Sequence, residues 1–364
     1  MGPPVVLMLL TLKFKTMKSA VLSILTGLFL FISPVHSQGE GFTFKDSVNT
    51  LYDKLFEELE ENYLHADKVD WPSVKSYIKK EALKSGTFQK SLATSVKLFD
   101  TVQGNHLLLF AEKDWYKSTL GKQLVKDHFN QSLLDAYSNN RGFETKVVDT
   151  SYGYVLIPGM LLKDATTAEL DQAAQKIYDA ILEIDKSNDL KGWIVDLRLN
   201  IGGNSNVMLA GLYHLLGNGT LLLDLDSNKN ATTLTSLVDG VLYQNHKVNT
   251  TVKPTAKPKP KIPVALISGI LTNSAGEFVL LGFRGRKNTI VIGEESYGST
   301  TANDLYELPF GIKAAITESY GTDRSAKFTK TVMPDIEVIK QTNFENLSRD
   351  QNIIEAIKFI ESSQ

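Results

Sequence analysis

Residues 271–277 read Leu-Thr-Asn-Ser-Ala-Gly-Glu and follow the apolar run Val264-Ala-Leu-Ile-Ser268 almost at once. The pattern predicts a buried strand turning into a helix, with Ser274 at the turn. A hydroxyl raised there to the edge of a sheet can attack a carbonyl, and the first backbone N–H groups of the helix can hold the anion that forms. Ser and Asn are also the preferred N-caps of any helix, so on this segment alone a nucleophile and a cap are both open readings. A second segment, Gly192-Trp-Ile-Val-Asp-Leu-Arg-Leu-Asn-Ile-Gly-Gly-Asn204, runs from an apolar strand pattern into paired glycines. Gly202 and Gly203 let backbone amides approach a ligand closely, which suits an oxyanion hole or an anion nest; a tight turn is the plain alternative. Asp196 and Arg198, two apart on an extended chain, share a face and fit a structural ion pair. The segment has neither Gly-x-Gly-x-x-Gly nor a Gly-Lys-Ser/Thr ending, so it is not a nucleotide loop.

The elements that must position these residues come in two styles. Over 44–63 the apolar residues Val48, Leu51, Leu55, Phe56, Leu59 and Tyr63 fall at helical spacing, and 71–82 and 88–98 continue in the same way. This predicts a small helical N-terminal domain over 38–144. Beyond it, 154–157, 192–195, 263–267 and 289–292 are short apolar runs rich in β-branched residues, with helical patterns at 168–184 and 274–283 between some of them. Strands alternating with helices predict a parallel sheet covered on both faces, hence an α/β (α+β) class with a core over 145–345 and a C-terminal helix over 346–364. The Lys-, Thr- and Pro-rich stretch 249–261 breaks the pattern and reads as an exposed loop or linker.

The N-terminus reads as a signal peptide over 1–37: Met17-Lys18, an apolar stretch over 20–32, then Pro34-Val-His-Ser37. Met17 fits as the true start, and the apolar stretch is short for a membrane span. A second apolar patch, Val5 to Leu12, leaves a membrane anchor as the alternative. The formal charge of the whole chain is −2, and the leader carries Lys13, Lys15 and Lys18 with no acidic residue, so the mature chain is more acidic and nothing suggests nucleic-acid binding. The chain has no cysteine. That excludes disulfides, a thiol nucleophile and a lipid-anchored Cys, and leaves stability to a packed core.

Four segments now occur in order: Asp-Leu-Arg-x-Asn-x-Gly-Gly-Asn at 196–204, Thr-Asn-Ser-Ala-Gly-Glu at 272–277, Ile-Gly-Glu-Glu-Ser-Tyr-Gly at 292–298 and Met-Pro-Asp-Ile at 333–336. Together they resemble the C-terminal processing, or tail-specific, serine peptidases, in particular the tricorn-core and interphotoreceptor retinoid-binding-protein-like branch. The resemblance covers most of 40–345. It implies a crotonase-like α/β core, Ser274 as nucleophile and an oxyanion hole from Gly202, Gly203 and the Ala275 amide. Where the processing branch carries a lysine base, after the Tyr/Phe-Gly of the third motif, this chain has Ser299. Lys287 and Lys313 are the remaining lysines to consider, but a lysine base needs burial to bring its pKa near neutrality, and Lys287 sits in a polar run. The tricorn-like branch implies instead a Ser-His arrangement with the histidine in the helical domain. His106, in Val102-Gln-Gly-Asn-His-Leu-Leu-Leu-Phe110, matches, and an imidazole can take the serine proton and return it to the leaving amine. Asn105 is the proposed group that orients it, with Asn303 and Glu295 as other candidates. The branch's additional acidic residue has no evident match. The Asp323-Arg324 pair fits a turn with a local ion pair.

Most processing peptidases carry a PDZ module, for which the passage from Arg141 to Val155 leaves no room, so a substrate tail must be recognised by the core cleft. The expectation is a secreted or periplasmic serine endopeptidase of bacterial type, acting on a peptide or protein without metal or other cofactor. It carries no stable membrane span once the leader is removed, and its oligomeric state is not set by the sequence. A non-catalytic protein holding an apolar or peptide ligand on the same fold, and an esterase using the same Ser-His pair, are the alternatives. His65, His128, His214 and His246 lack the spacing of metal ligands, and His36 leaves with the leader.

Overall fold

The computed structural model describes residues 41–162 and 164–364, and the leader read at 1–37 lies outside them. The strands among these residues are β1 (Leu108–Ala111), β2 (Asp114–Lys117), β3 (Glu144–Val148), β4 (Tyr152–Leu156), β5 (Gly192–Asp196), β6 (Gly219–Leu225), β7 (Ala231–Val238), β8 (Val241–Gln244), β9 (Lys247–Thr251), β10 (Val264–Ser268), β11 (Thr289–Gly293), β12 (Thr301–Leu308), β13 (Ile312–Tyr320) and β14 (Ile336–Glu337). The chain divides into a smaller unit, 41–121 with 301–319, and a larger one, 122–300 with 320–364.

The smaller unit begins with the helix Phe44–Asn62, started by a capping box in which Thr43 and Asp46 satisfy each other's backbone N–H groups. Its predicted apolar stripe is buried: Val48, Leu51, Leu55 and Leu59 are wholly covered. The helix Trp71–Leu83 starts on an Asp70 cap with Pro72 in its first turn, where a missing N–H costs nothing. Ile78, Phe99, Leu107, Leu109, Ala314 and Ile316 share the same core. The last two come from a hairpin far along the chain. β1 pairs antiparallel with both β2 and β13, and β12 pairs with β13, so the sheet of this mainly helical unit is completed from 301–319.

The larger unit is built on a six-stranded sheet of order β14-β11-β10-β5-β4-β3. All its pairings are parallel except the β3–β4 edge. β4, β5 and β10 are buried along their whole length, as a sheet with both faces covered requires and as their unbroken apolar runs foretold. The helix Thr167–Ser187 packs on β3 and β4, and Gln351–Ser362 on β5, β10 and β11. Tyr154, Ile194, Ala265, Ile267, Ile292, Ile353 and Ile360 belong to one core. The antiparallel meander β6-β7-β8-β9 has no counterpart in the sequence reading. The β6–β7 and β8–β9 pairings are bulged and β7 is rich in Thr, so no clean period survives.

The stretch expected as a free loop is fastened. The N–H groups of Thr251, Lys253 and Thr255 donate to Asp171 Oδ1, Gln175 Oε1 and Tyr178 Oη at 2.7, 2.7 and 3.1 Å. These acceptors stand at i, i+4 and i+7 on one face of a helix, so they present a row of anchors. The side chains of Lys253, Lys257, Lys259 and Lys261 stay exposed, as expected. No helix among the described residues is long and apolar enough to cross a membrane.

Candidate active site

β5 and β10 are parallel neighbours with Ile267 opposite Asp196, so the chain leaves both at the same sheet edge and the two motif segments meet there. Ser274 takes φ 49°, ψ −113° between β10 and the helix Ala275–Phe283. That is a region L-residues rarely adopt, and holding it costs on the order of 1–3 kcal/mol. The serine side chain makes no cap hydrogen bond. Its N–H is bound instead by Glu277 Oε2 at 2.8 Å. Among the described residues the hydroxyl makes no hydrogen bond, and it stands at a sharp strand-to-helix turn, the geometry of a nucleophile elbow.

Gly202 and Gly203 lie against this elbow with φ 112° and 122°. A Cβ on Gly202 would stand 3.1 Å from Ser274 Cβ and 3.6 Å from its Oγ, and one on Gly203 would collide with Met160 O at 2.1 Å. Both positions therefore need glycine for close approach as well as for their φ. The three expected oxyanion donors are not equivalent. Gly202 N–H already donates to Asn200 Oδ1 at 3.1 Å, whereas the amides of Gly203 and Ala275 donate to no protein group among the described residues. Ala275 N–H is one of the unsatisfied donors at a helix start, where the dipole favours an anion.

Asn200 and Glu277, which the sequence reading passed over, hold this arrangement together. Asn200 is fully buried, donates to Ile157 O at 3.1 Å beyond the end of β4, and sits so close to the new helix that a Cβ on Gly276 would meet its Oδ1 at 2.9 Å. Glu277 is also fully buried. Its Oε1 accepts from Ser296 Oγ and Gly298 N, and its Oε2 from Ser274 N and Ser299 N, all at 2.5–2.8 Å. Burial pushes its carboxyl above the usual range, against those four donors. The only signal for either residue was its place inside a motif already quoted.

Asp196 and Arg198 do form the expected ion pair, at 2.5 Å. The strand ends at Asp196, however, and Arg198 folds back beyond it to reach Asp350 as well, at 2.6 Å. All three are buried, and Tyr154 Oη donates to Asp196 Oδ2 at 2.9 Å. Arg324 does not close a local pair with Asp323. Asp323 instead receives Ser325 N in a turn, while Arg324 donates to Gly282 O near the end of the helix Ala275–Phe283.

His106 belongs to the smaller unit. Its Nδ1 lies 2.9 Å from Thr301 Oγ1, and Asn303 Nδ2 donates to its carbonyl at 2.7 Å while receiving Thr317 Oγ1 at 2.9 Å. Asn105, expected to orient the ring, is exposed with no side-chain bond to it. The residue preceding His106 points its side chain to solvent, and the hairpin supplies the ring's partner instead. Asn303, the second candidate, holds the histidine by its backbone. Glu295 pairs with Lys122 at 3.5 Å. Burial pushes the His106 pKa down to about 4, so the ring is neutral at pH 7, and the tautomer that donates Nδ1–H to Thr301 leaves Nε2 as the proton acceptor. Neither lysine considered as a base fits: Lys287 is exposed, and Lys313 pairs with Glu307 at 2.6 Å. Among the other histidines, His214 is bound to Asp185 at 3.0 Å and His128 accepts Val125 N at 3.2 Å.

The comparisons with known proteins bear on the family and the fold. The family model described as Peptidase family S41 matches residues 151–338, more than half of the chain. The nisin-resistance protein of Lactococcus lactis subsp. lactis is 34% identical over 157 residues, 41% of this chain and 47% of that protein. The chain thus spans about half the length of the curated relative it matches. Among solved structures, a lipoprotein from Streptococcus agalactiae superposes with a TM-score of 0.63 at 19% identity, covering 93% of this chain and all of that one. A putative peptidase from Parabacteroides merdae does so with a TM-score of 0.54 at 19% identity, over 86% of this chain and 96% of that one. At such identities the superpositions speak for the fold. From the family match, over the same residues that carry the elbow and the paired glycines, the chain is a member of peptidase family S41.

Proposed function

We propose that this protein is a secreted serine peptidase that cleaves peptide bonds through an acyl-enzyme. Ser274 Oγ attacks the carbonyl carbon and His106 Nε2 takes its proton. The amides of Gly203 and Ala275 hold the oxyanion. His106 then returns the proton to the leaving amine, and a water, deprotonated by the same imidazole, releases the acyl group. The observation that carries the reading is the state of Ser274: its hydroxyl is uncommitted, its backbone is held at φ 49°, and two undonated amides stand in the turns around it. Secretion is supported by the leader at 1–37, and a crotonase-like core by the motif set. The relative named for nisin resistance makes nisin the first substrate to try.

A second reading, a non-catalytic binding protein, is favoured by one feature. The group on His106 Nδ1 is a neutral hydroxyl, so among the described residues no carboxylate is bonded to that nitrogen to stabilise an imidazolium. Intact-mass spectrometry after treatment with a fluorophosphonate decides between them. Wild type is expected to gain one adduct, and Ser274→Ala and His106→Ala none. A folded wild type that stays unlabelled overturns the peptidase reading in favour of the binder.

A further inference from the structure

We infer that Glu277 is the positioning residue that holds Ser274 in its attack-ready backbone and selects which amide faces the oxyanion. The inference deepens the serine-peptidase reading and rests on it. A Glu at the third position of a helix is ordinarily an exposed half of a capping box. Glu277 is fully buried, with no cation among the partners of its carboxylate. Burying a carboxylate is costly unless its lone pairs are filled, and here each oxygen accepts two donors. A cap alone does not need this. The four bonds do two further things.

First, Oε2 takes the Ser274 N–H, so that amide is occupied and Ala275 N–H is the one left without a protein acceptor among the described residues. In this site the amide of the serine itself is therefore not an oxyanion donor. Second, the same carboxylate binds Gly298 N and Ser299 N, the place where the lysine branch of the resembled peptidases carries its base. In this chain that segment is instead a brace for the elbow. Ser296 completes it from both sides, donating to Glu277 Oε1 and accepting Val332 N at 2.8 Å. A Gln in its place, with its oxygen toward Ser274 N and Ser299 N and its NH2 toward the Ser296 hydroxyl, would oppose only Gly298 N–H and keep the bond to Ser274. Glu277→Met has about the same volume and removes all four acceptor interactions, so it removes the brace.

The test uses Glu277→Met and the full mature protein. Two readouts are taken: the rate and final extent of fluorophosphonate labelling, and a crystal structure of the variant. The expected result is labelling that reaches the wild-type extent about 10–100-fold more slowly, with unchanged half-saturation by the reagent, and Ser274 moved away from φ near 49°. Unfolding would lower the extent rather than the rate, so it is told apart. Glu277→Asp, which keeps the charge and shortens the reach, should recover part of the rate. A Met variant that labels within twofold of wild type, or that keeps Ser274 at its wild-type φ and ψ, overturns the inference. If wild type itself does not label, the peptidase reading fails, and the crystallographic result alone still decides whether Glu277 sets the turn.

Discussion

At the scale of the residue, the proposed chemistry turns on a histidine supported by a hydroxyl. Thr301 can accept the Nδ1–H and so fix the tautomer, but it carries no charge to stabilise the imidazolium. Thr301→Val, which keeps the shape and removes the acceptor, is therefore expected to slow labelling of Ser274 by about 10–100-fold. Thr301→Ser should stay near wild type, and the imidazole 15N shifts of His106 should show mixed tautomers in the Val variant alone. The depressed pKa has its own signature. With a folded value of about 4 against an ordinary imidazole value of about 6.5, the ring remains a base well below pH 6, so the acid limb of the labelling rate should fall nearer pH 4 than pH 6.5. In that window the unfolded chain binds the proton that the folded one refuses. The contribution of His106 to stability is thus complete above about pH 6.5 and is lost as the pH falls toward 4. A labelling profile with its midpoint at an ordinary imidazole value would show that the ring is not desolvated.

At the scale of the element, the proposed site rests on two turns that leave parallel neighbours at one sheet edge. The apolar runs of β5 and β10 announced both strands, and the residues that follow announced both turns. Only the pairing of the two strands explains why Gly202 lies 3.1 Å, at its absent Cβ, from Ser274. The glycines differ in consequence. On Gly203 a methyl group meets a backbone carbonyl that is itself bonded to Asn204 N at 3.0 Å, so it cannot yield as a flexible side chain would. Gly203→Ala is expected to cost about 1–3 kcal/mol, read as a lower urea midpoint, and to abolish labelling even in the folded fraction. The helix Thr167–Ser187 shows the same dependence on partners. Its helical period was plain from the sequence. That Asp171, Gln175 and Tyr178 anchor a Pro-rich strap was not, because backbone N–H groups leave no mark in a pattern of side chains.

At the scale of the whole molecule, the larger unit is fastened by a buried triad that draws on distant parts of the chain. Arg198 joins Asp196 at the end of β5 to Asp350, which also caps the helix Gln351–Ser362 through Asn352 N and Ile353 N. Asp350→Ala leaves the guanidinium short of one partner and the helix without its cap. The expected loss is about 3–5 kcal/mol, measured by denaturant unfolding, with amides of 351–362 exchanging faster than the rest. The smaller unit is likewise completed from afar, since Ala314 and Ile316 enter the core made by 44–111. Here lies the division between what the sequence determined and what the tertiary structure decided. The sequence by itself determined the helices of 44–101 and the buried parallel strands, and it marked Ser274, Gly202, Gly203 and His106 as the candidate residues. Those depend on period, on burial and on motifs read within a few residues. The tertiary structure alone decided that Thr301 rather than Asn105 supports the imidazole, that Gly202 spends its amide on Asn200, and that Glu277 braces the elbow. Each of these is a hydrogen bond fixed by where the fold brings separate atoms together, and a residue's type states what it can bond but not which partner will arrive.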